Sequence, residues 1–160
     1  MNILFICTHN RCRSILCEAI TNDFNDPRIK AYSAGSQPAG VVHPLSLKYL
    51  AARGIATNNL RSQSWDDFAD IDIAITVCDS AAGESCPLWL GNSPKVHWGL
   101  SDPSKLEGSE SELEAAFNTC IDSIQARIKA LLALDIESLS KTDLIAALKQ
   151  IHQDVNGSAS

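Results

Sequence analysis

The chain opens with an unbroken apolar run, Ile3-Leu4-Phe5-Ile6. A short run with no polar position on either face fits a strand buried on both sides, as in a parallel sheet covered by helices. The period then changes. After a polar stretch, Ile15, Leu16, Ala19, Ile20 and Phe24 recur at helical spacing, and Asp26-Pro27 closes that helix. Residues 29–34 predict a second strand that ends in Ala34-Gly35. Pro44 suits a helix first turn, and Leu45, Leu47, Lys48, Leu50 and Ala51 carry a second helix to Gly54. The β-branched stretch 71–77 (Ile-Asp-Ile-Ala-Ile-Thr-Val) predicts a third strand, and 95–98 a short fourth one. Leu113, Ala116, Phe117, Cys120, Ile124, Ile128, Leu131 and Leu132 mark a long amphipathic helix over about 110–134. A final helix is expected over about 142–150, with a frayed end at 156–160.

Strands alternating with helices predict an α/β fold: a small, doubly wound, four-stranded parallel sheet flanked by helices. One domain over 1–152 accounts for the pattern, with 153–160 as a flexible tail. In such sheets, ligands bind beyond the carboxyl ends of the strands, where the first strand delivers Cys7. Composition supports a globular chain, with 45% apolar and 20% charged residues. The net charge of −6, with no basic run, excludes a general nucleic-acid or membrane-surface binder. A small anionic substrate stays compatible, because it needs only one locally positive pocket. No segment reaches the roughly 18 to 20 apolar residues of a membrane span. The apolar amino terminus lacks a basic flank, so it is not read as a secretory signal. The expected location is the cytoplasm, where thiols stay reduced. The six cysteines are therefore packing residues or chemistry rather than a disulfide framework.

The densest chemistry lies in Cys7-Thr8-His9-Asn10-Arg11-Cys12-Arg13-Ser14, between a strand and a helix. A helix amino terminus offers unsatisfied N–H groups and partial positive charge, so a loop there can wrap an oxyanion of phosphate size. Arg13 adds a planar cationic fork for two oxygens of one anion. The same field is expected to stabilise a Cys7 thiolate and lower its pKa. Ser14 can donate a hydroxyl to that thiolate, and Asn10 can brace the loop. Thr8, His9, Asn10, Arg11, Cys12, Arg13 and Ser14 are thus the expected substrate-binding set, with Cys7 as nucleophile. A zinc site on Cys7, His9 and Cys12 would lack a fourth ligand, and no metal or other cofactor is expected.

The 7–14 loop after an apolar strand, the Ser33-Ala34-Gly35 turn and Asp102-Pro103 together resemble the low-molecular-weight protein tyrosine phosphatases, over about two thirds of the chain. His9 departs from that pattern, standing where the phosphatases usually carry a glycine that tolerates positive φ. The resemblance implies that Asp102 is a general acid; read alone, Asp102 is a turn residue before proline.

Two features shift the expected chemistry. Parallel strands deliver their carboxyl ends to one edge, so Cys78, after the third strand, should emerge beside Cys7. Cys86 follows, and phosphate-ester hydrolysis needs only one thiol, whereas two-electron reduction of an oxyanion needs a second and a relay a third. Were 78–86 helical, the two cysteines would lie roughly 12 Å apart, beyond the about 7 Å that a disulfide allows. Gly83 and its small neighbours make bending there feasible. Moreover, no aromatic residue follows Asp102-Pro103, and the stretch 97–103 is similar to the arsenate reductases built on the phosphatase fold. That resemblance implies a Cys7 adduct with arsenate, attack by Cys78, transfer of the disulfide to Cys86, and re-reduction by thioredoxin or a glutaredoxin/glutathione system. Cys17 and Cys120, and Cys12 apart from its place in the loop, are read as packing residues. A phosphotyrosine phosphatase and a non-enzymatic thiol sensor or metalloid-binding module remain the alternatives.

Overall fold

The computed structural model describes residues 1–68, 70–78 and 94–158. Four parallel strands, β1 (Asn2–Ile6), β2 (Lys30–Ala34), β3 (Ile73–Thr76) and β4 (Lys95–His97), lie in the order β2-β1-β3-β4. The helices are α1 (Arg13–Asp23), α2 (Pro44–Ala52), α3 (Glu110–Leu132) and α4 (Lys141–Ser158). This is the expected α/β architecture. β1 is central, and Ile3, Leu4, Phe5 and Ile6 are fully buried, which is why the run carries no polar position.

The ladder aligns Ile6 with Ala34 on one side and Thr76 on the other. It continues past the strand ends: Cys7 N donates to Ala34 O, Val77 N to Ile6 O, and Leu100 N to Val77 O. Four connections therefore emerge at one edge, carrying Cys7, Gly35, Cys78 and Leu100. The chain leaves β1 toward β2 on one side and later returns to β3 on the other. That edge is the switch point where α/β sheets place ligands.

The third strand is shorter than expected because Asp72 and Val77 contribute only ladder bonds at its ends. The last helix starts at Lys141 and runs on past Gln150 to Ser158. Its apolar stripe explains the length: Leu144, Leu148 and Ile151 are buried and Val155 packs against them, at successive helical spacings. α4 also accepts the Trp98 indole N–H at Leu148 O, 2.9 Å away. No helix among the described residues is long and apolar enough to cross a membrane.

Candidate active site

The loop from Cys7 to the start of α1 is shaped by what its carbonyls bind. Thr8 O accepts from Gln37 N, His9 O from Ala39 N, Arg11 O from His43 N, and Cys7 O from Asn10 N. The carbonyls are thus spent on the 37–43 segment and within the loop. The N–H groups of His9, Arg11, Cys12, Arg13 and Ser14 donate to no acceptor among the described residues. A loop with its acceptors engaged and its donors open is built to receive an anion. No acidic residue occupies the first turn of α1, so nothing there neutralises the positive end of the helix.

Asn10 makes the curl possible. It takes a positive φ of 46°, which asparagine tolerates better than most residues. The strained position is thus Asn10 rather than its neighbour His9, and the family's glycine is not required for it. Asn10 is fully buried, accepting from Gln63 N at 2.8 Å and donating to Ser14 Oγ at 2.8 Å. Gln63 in turn donates to Ser33 O at 3.1 Å, and Ser33 Oγ to Glu18 Oε1 at 2.7 Å. Burial raises the Glu18 pKa, and the Ser33 hydroxyl opposes that shift. Gly35 closes the wall: a Cβ there would collide with the carbonyl oxygens of Cys7 and Thr8.

A cavity of about 210 Å³ opens over this loop, lined by Cys7, Thr8, His9, Arg11, Cys12, Arg13, Cys78, Asp102, Ser104 and Lys105. Arg13 Nη1 donates to Leu100 O at 2.9 Å, and Nη2 lies 3.5 Å from Asp102 Oδ2. Its buried Nε has no hydrogen-bond partner among the described residues, leaving donor capacity for an incoming anion. Asp102 caps the short turn Pro103–Lys105 and also lines the cavity beside Arg13. A larger hollow, about 340 Å³, lies at the opposite sheet edge around Met1, Asp72 and Pro94. Of its cations, Arg28 is committed to Asp26 and to Leu132 O and Leu134 O and the Met1 ammonium to Arg28 O, and no thiol lines it among the described residues.

Cys7 and Cys78 meet at this edge, lining the same cavity. Cys78 Sγ also accepts from Thr8 N at 3.4 Å and lies 3.7 Å from Thr8 Oγ1. The Cys78 contact, followed by burial, pushes the Cys7 thiol well above its ordinary range, against the pull of Arg13. This reverses the expected lowering. The sequence places Cys78 at the same edge as Cys7, but the effect of that sulfur on the Cys7 proton is not legible in it. Burial holds Cys12 up at about 11, opposed chiefly by the Ser46 hydroxyl. Ser14 receives the Asn10 amide, and no hydrogen bond links it to Cys7 among the described residues.

Of the expected residues, Cys7, Thr8, His9, Arg11, Cys12, Arg13, Cys78 and Asp102 share the cavity, with Asn10 and Ser14 buried beneath it. Cys86 lies outside the described residues, as does the segment expected to bend. Ser104 and Lys105 also line the cavity, beyond the residues that the sequence marks. Their only signal is their closeness to Asp102-Pro103.

The low-molecular-weight phosphotyrosine protein phosphatase family model matches residues 2–144. The arsenate reductase of Halalkalibacterium halodurans is 36% identical over 129 residues, 79% of this chain and 91% of that protein. The crystal structure of the arsenate reductase of Archaeoglobus fulgidus is 26% identical with a TM-score of 0.67, covering 82% of this chain and 99% of that one. The thioredoxin-dependent arsenate reductase of Corynebacterium glutamicum is 28% identical with a TM-score of 0.60, covering 82% of this chain and 59% of that one. A phosphatase-type oxyanion loop on this sheet, matched over nearly the whole described fold, places the chain in the low-molecular-weight phosphotyrosine protein phosphatase family.

Proposed function

We propose that the protein is a thiol-dependent arsenate reductase, converting arsenate to arsenite. One observation carries this reading beyond the family: a second thiol, Cys78, stands beside Cys7 at the mouth of the oxyanion loop. Ester hydrolysis has no use for it, whereas a two-electron reduction requires it. The relatives named arsenate reductases support the same choice.

The residues take the following roles. The loop amides and Arg13 hold arsenate. The Cys7 thiolate forms an S–As bond as an As–O bond breaks, and Asp102 protonates the departing oxygen. Cys78 then attacks Cys7 Sγ. An S–S bond forms, and the S–As electron pair stays on arsenic, which leaves as arsenite. Cys86 attacks Cys78, freeing the Cys7 thiolate and leaving a Cys78–Cys86 disulfide. An external dithiol reduces it: thioredoxin, as in the Corynebacterium relative, or a glutaredoxin/glutathione system. Such a cycle belongs in a reducing compartment such as the cytoplasm.

A phosphatase reading needs only Cys7, Arg13 and Asp102, and all three line the cavity. Against it, the residues after Asp102-Pro103, Ser104-Lys105-Leu106-Glu107-Gly108, include no aromatic to hold an aryl ester, and none of Phe, Tyr or Trp lines the cavity among the described residues. Turnover of arsenate and of an aryl phosphate by wild type and Cys78→Ser, with reduced thioredoxin or glutaredoxin supplied, separates the two. The reductase loses arsenate cycling with Cys78→Ser. Undiminished multiple turnover of arsenate by that variant would overturn the proposal.

A further inference from the structure

We infer that Ser104 is a positioning residue for Asp102, selecting which carboxyl oxygen delivers the proton to the departing group. The inference rests on the reading of Asp102 as the general acid of arsenate reduction.

The geometry divides the two oxygens. Oδ1 accepts from Ser104 N at 2.9 Å and from Ser104 Oγ at 2.6 Å. Oδ2 takes neither bond and faces Arg13 Nη2 at 3.5 Å, on the cavity side. An oxygen that already receives two donors cannot also donate toward them. A proton carried by Asp102 therefore sits on Oδ2, the oxygen beside the cation that clamps the substrate. When an oxyanion takes the Arg13 fork, Oδ2 is free to donate to it. The intervening Pro103 has no N–H, so Ser104 supplies the first backbone donor after the carboxylate, and the fixed proline φ holds that donor in place.

A double-mutant cycle tests the inference: Asp102→Asn, Ser104→Ala, their combination, and Ser104→Thr. Three quantities are read for each: the single-turnover rate of arsenate-driven thiol loss, the KM for arsenate, and the rate at which thioredoxin re-reduces the oxidised protein. Ser104→Ala should slow the single turnover by about tenfold, the scale of a misplaced catalytic group. Its KM and re-reduction rate should stay at wild-type values, and Ser104→Thr should restore the rate. In the Asp102→Asn background, Ser104→Ala should add no further loss, because no proton is left to position. An equal loss in both backgrounds, or a wild-type rate for Ser104→Ala beside a slow Asp102→Asn, overturns this inference alone. A wild-type rate for Asp102→Asn overturns the acid assignment and the inference together.

Discussion

The cysteines divide into two regions that burial alone does not distinguish. Cys7 and Cys78, at the strand ends, are 7% and 3% exposed, while Cys17 and Cys120, between α1 and α3, are 1% and 8% exposed. A cavity does not distinguish them either. Cys120 lines a hollow of about 480 Å³ whose walls, among them Leu100, Pro103, Leu106 and Ala116, include no cation. The difference lies in the neighbours. Cys7 has open backbone donors, a helix amino terminus, Arg13 and a second sulfur around it. Cys17 and Cys120 also have a neighbouring sulfur and the buried Arg127 nearby, but they lie within helices rather than in an open oxyanion loop, and burial raises the one well above the ordinary thiol range and the other to about 12. A buried thiol becomes a reagent where backbone and charge converge on it, and stays a small hydrophobe elsewhere.

The largest expected break of this comparison is by deletion. Cys7→Ser should reduce arsenate turnover to background, whereas Cys17→Ala and Cys120→Ala should keep it while lowering stability by about 1 kcal/mol. Coupled arsenate assays and thermal melts check both halves. Next, Arg13→Lys should lower kcat/KM for arsenate by about 10²-fold, since an ammonium cannot reproduce the planar fork. Steady-state kinetics at several arsenate concentrations measure it. Gly35→Ala should then destabilise the fold by about 1–3 kcal/mol and weaken arsenate binding, because the methyl displaces the Cys7 and Thr8 carbonyls. Denaturant melts with and without arsenate read both effects.

A smaller effect concerns α4. His152 Nδ1 faces Arg127 Nη2 at 3.0 Å, and burial, then Arg127 and His97, hold its pKa below 6.5. The unfolded chain therefore binds that proton more readily than the folded one. Stability from this group is present above pH 6.5 and is lost as pH falls through the lowered folded value. Melts at pH 7.5 and 5.5 should show that loss, and His152→Gln should reduce it.

The sequence disclosed whatever is contiguous or periodic. β1 is legible because burial on both faces leaves no polar position, and the oxyanion loop because its parts lie within eight successive positions. Cys78 was placed beside Cys7 by topology alone, since parallel strands share an edge. What stayed hidden depends on contacts distant in sequence. The Gln63 brace on Asn10 and the close approach of Gly35 to Cys7 leave no local spacing. The upward shift of Cys7 arises from its meeting with Cys78, which no single segment encodes. Ser104 was adjacent to a named residue but has no periodicity to mark it. The full length of α4 was readable from Leu144, Leu148, Ile151 and Val155, and its polar end masked that stripe.

The central claim is that Cys7 and Cys78 together supply the two electrons. The most direct test is a single turnover of the Cys86→Ser variant with excess arsenate and no reductant, followed by disulfide mapping. One arsenite per protein with a Cys7–Cys78 bond is predicted. Arsenite formed with both thiols still free, or with any other cysteine pair linked, would contradict the account.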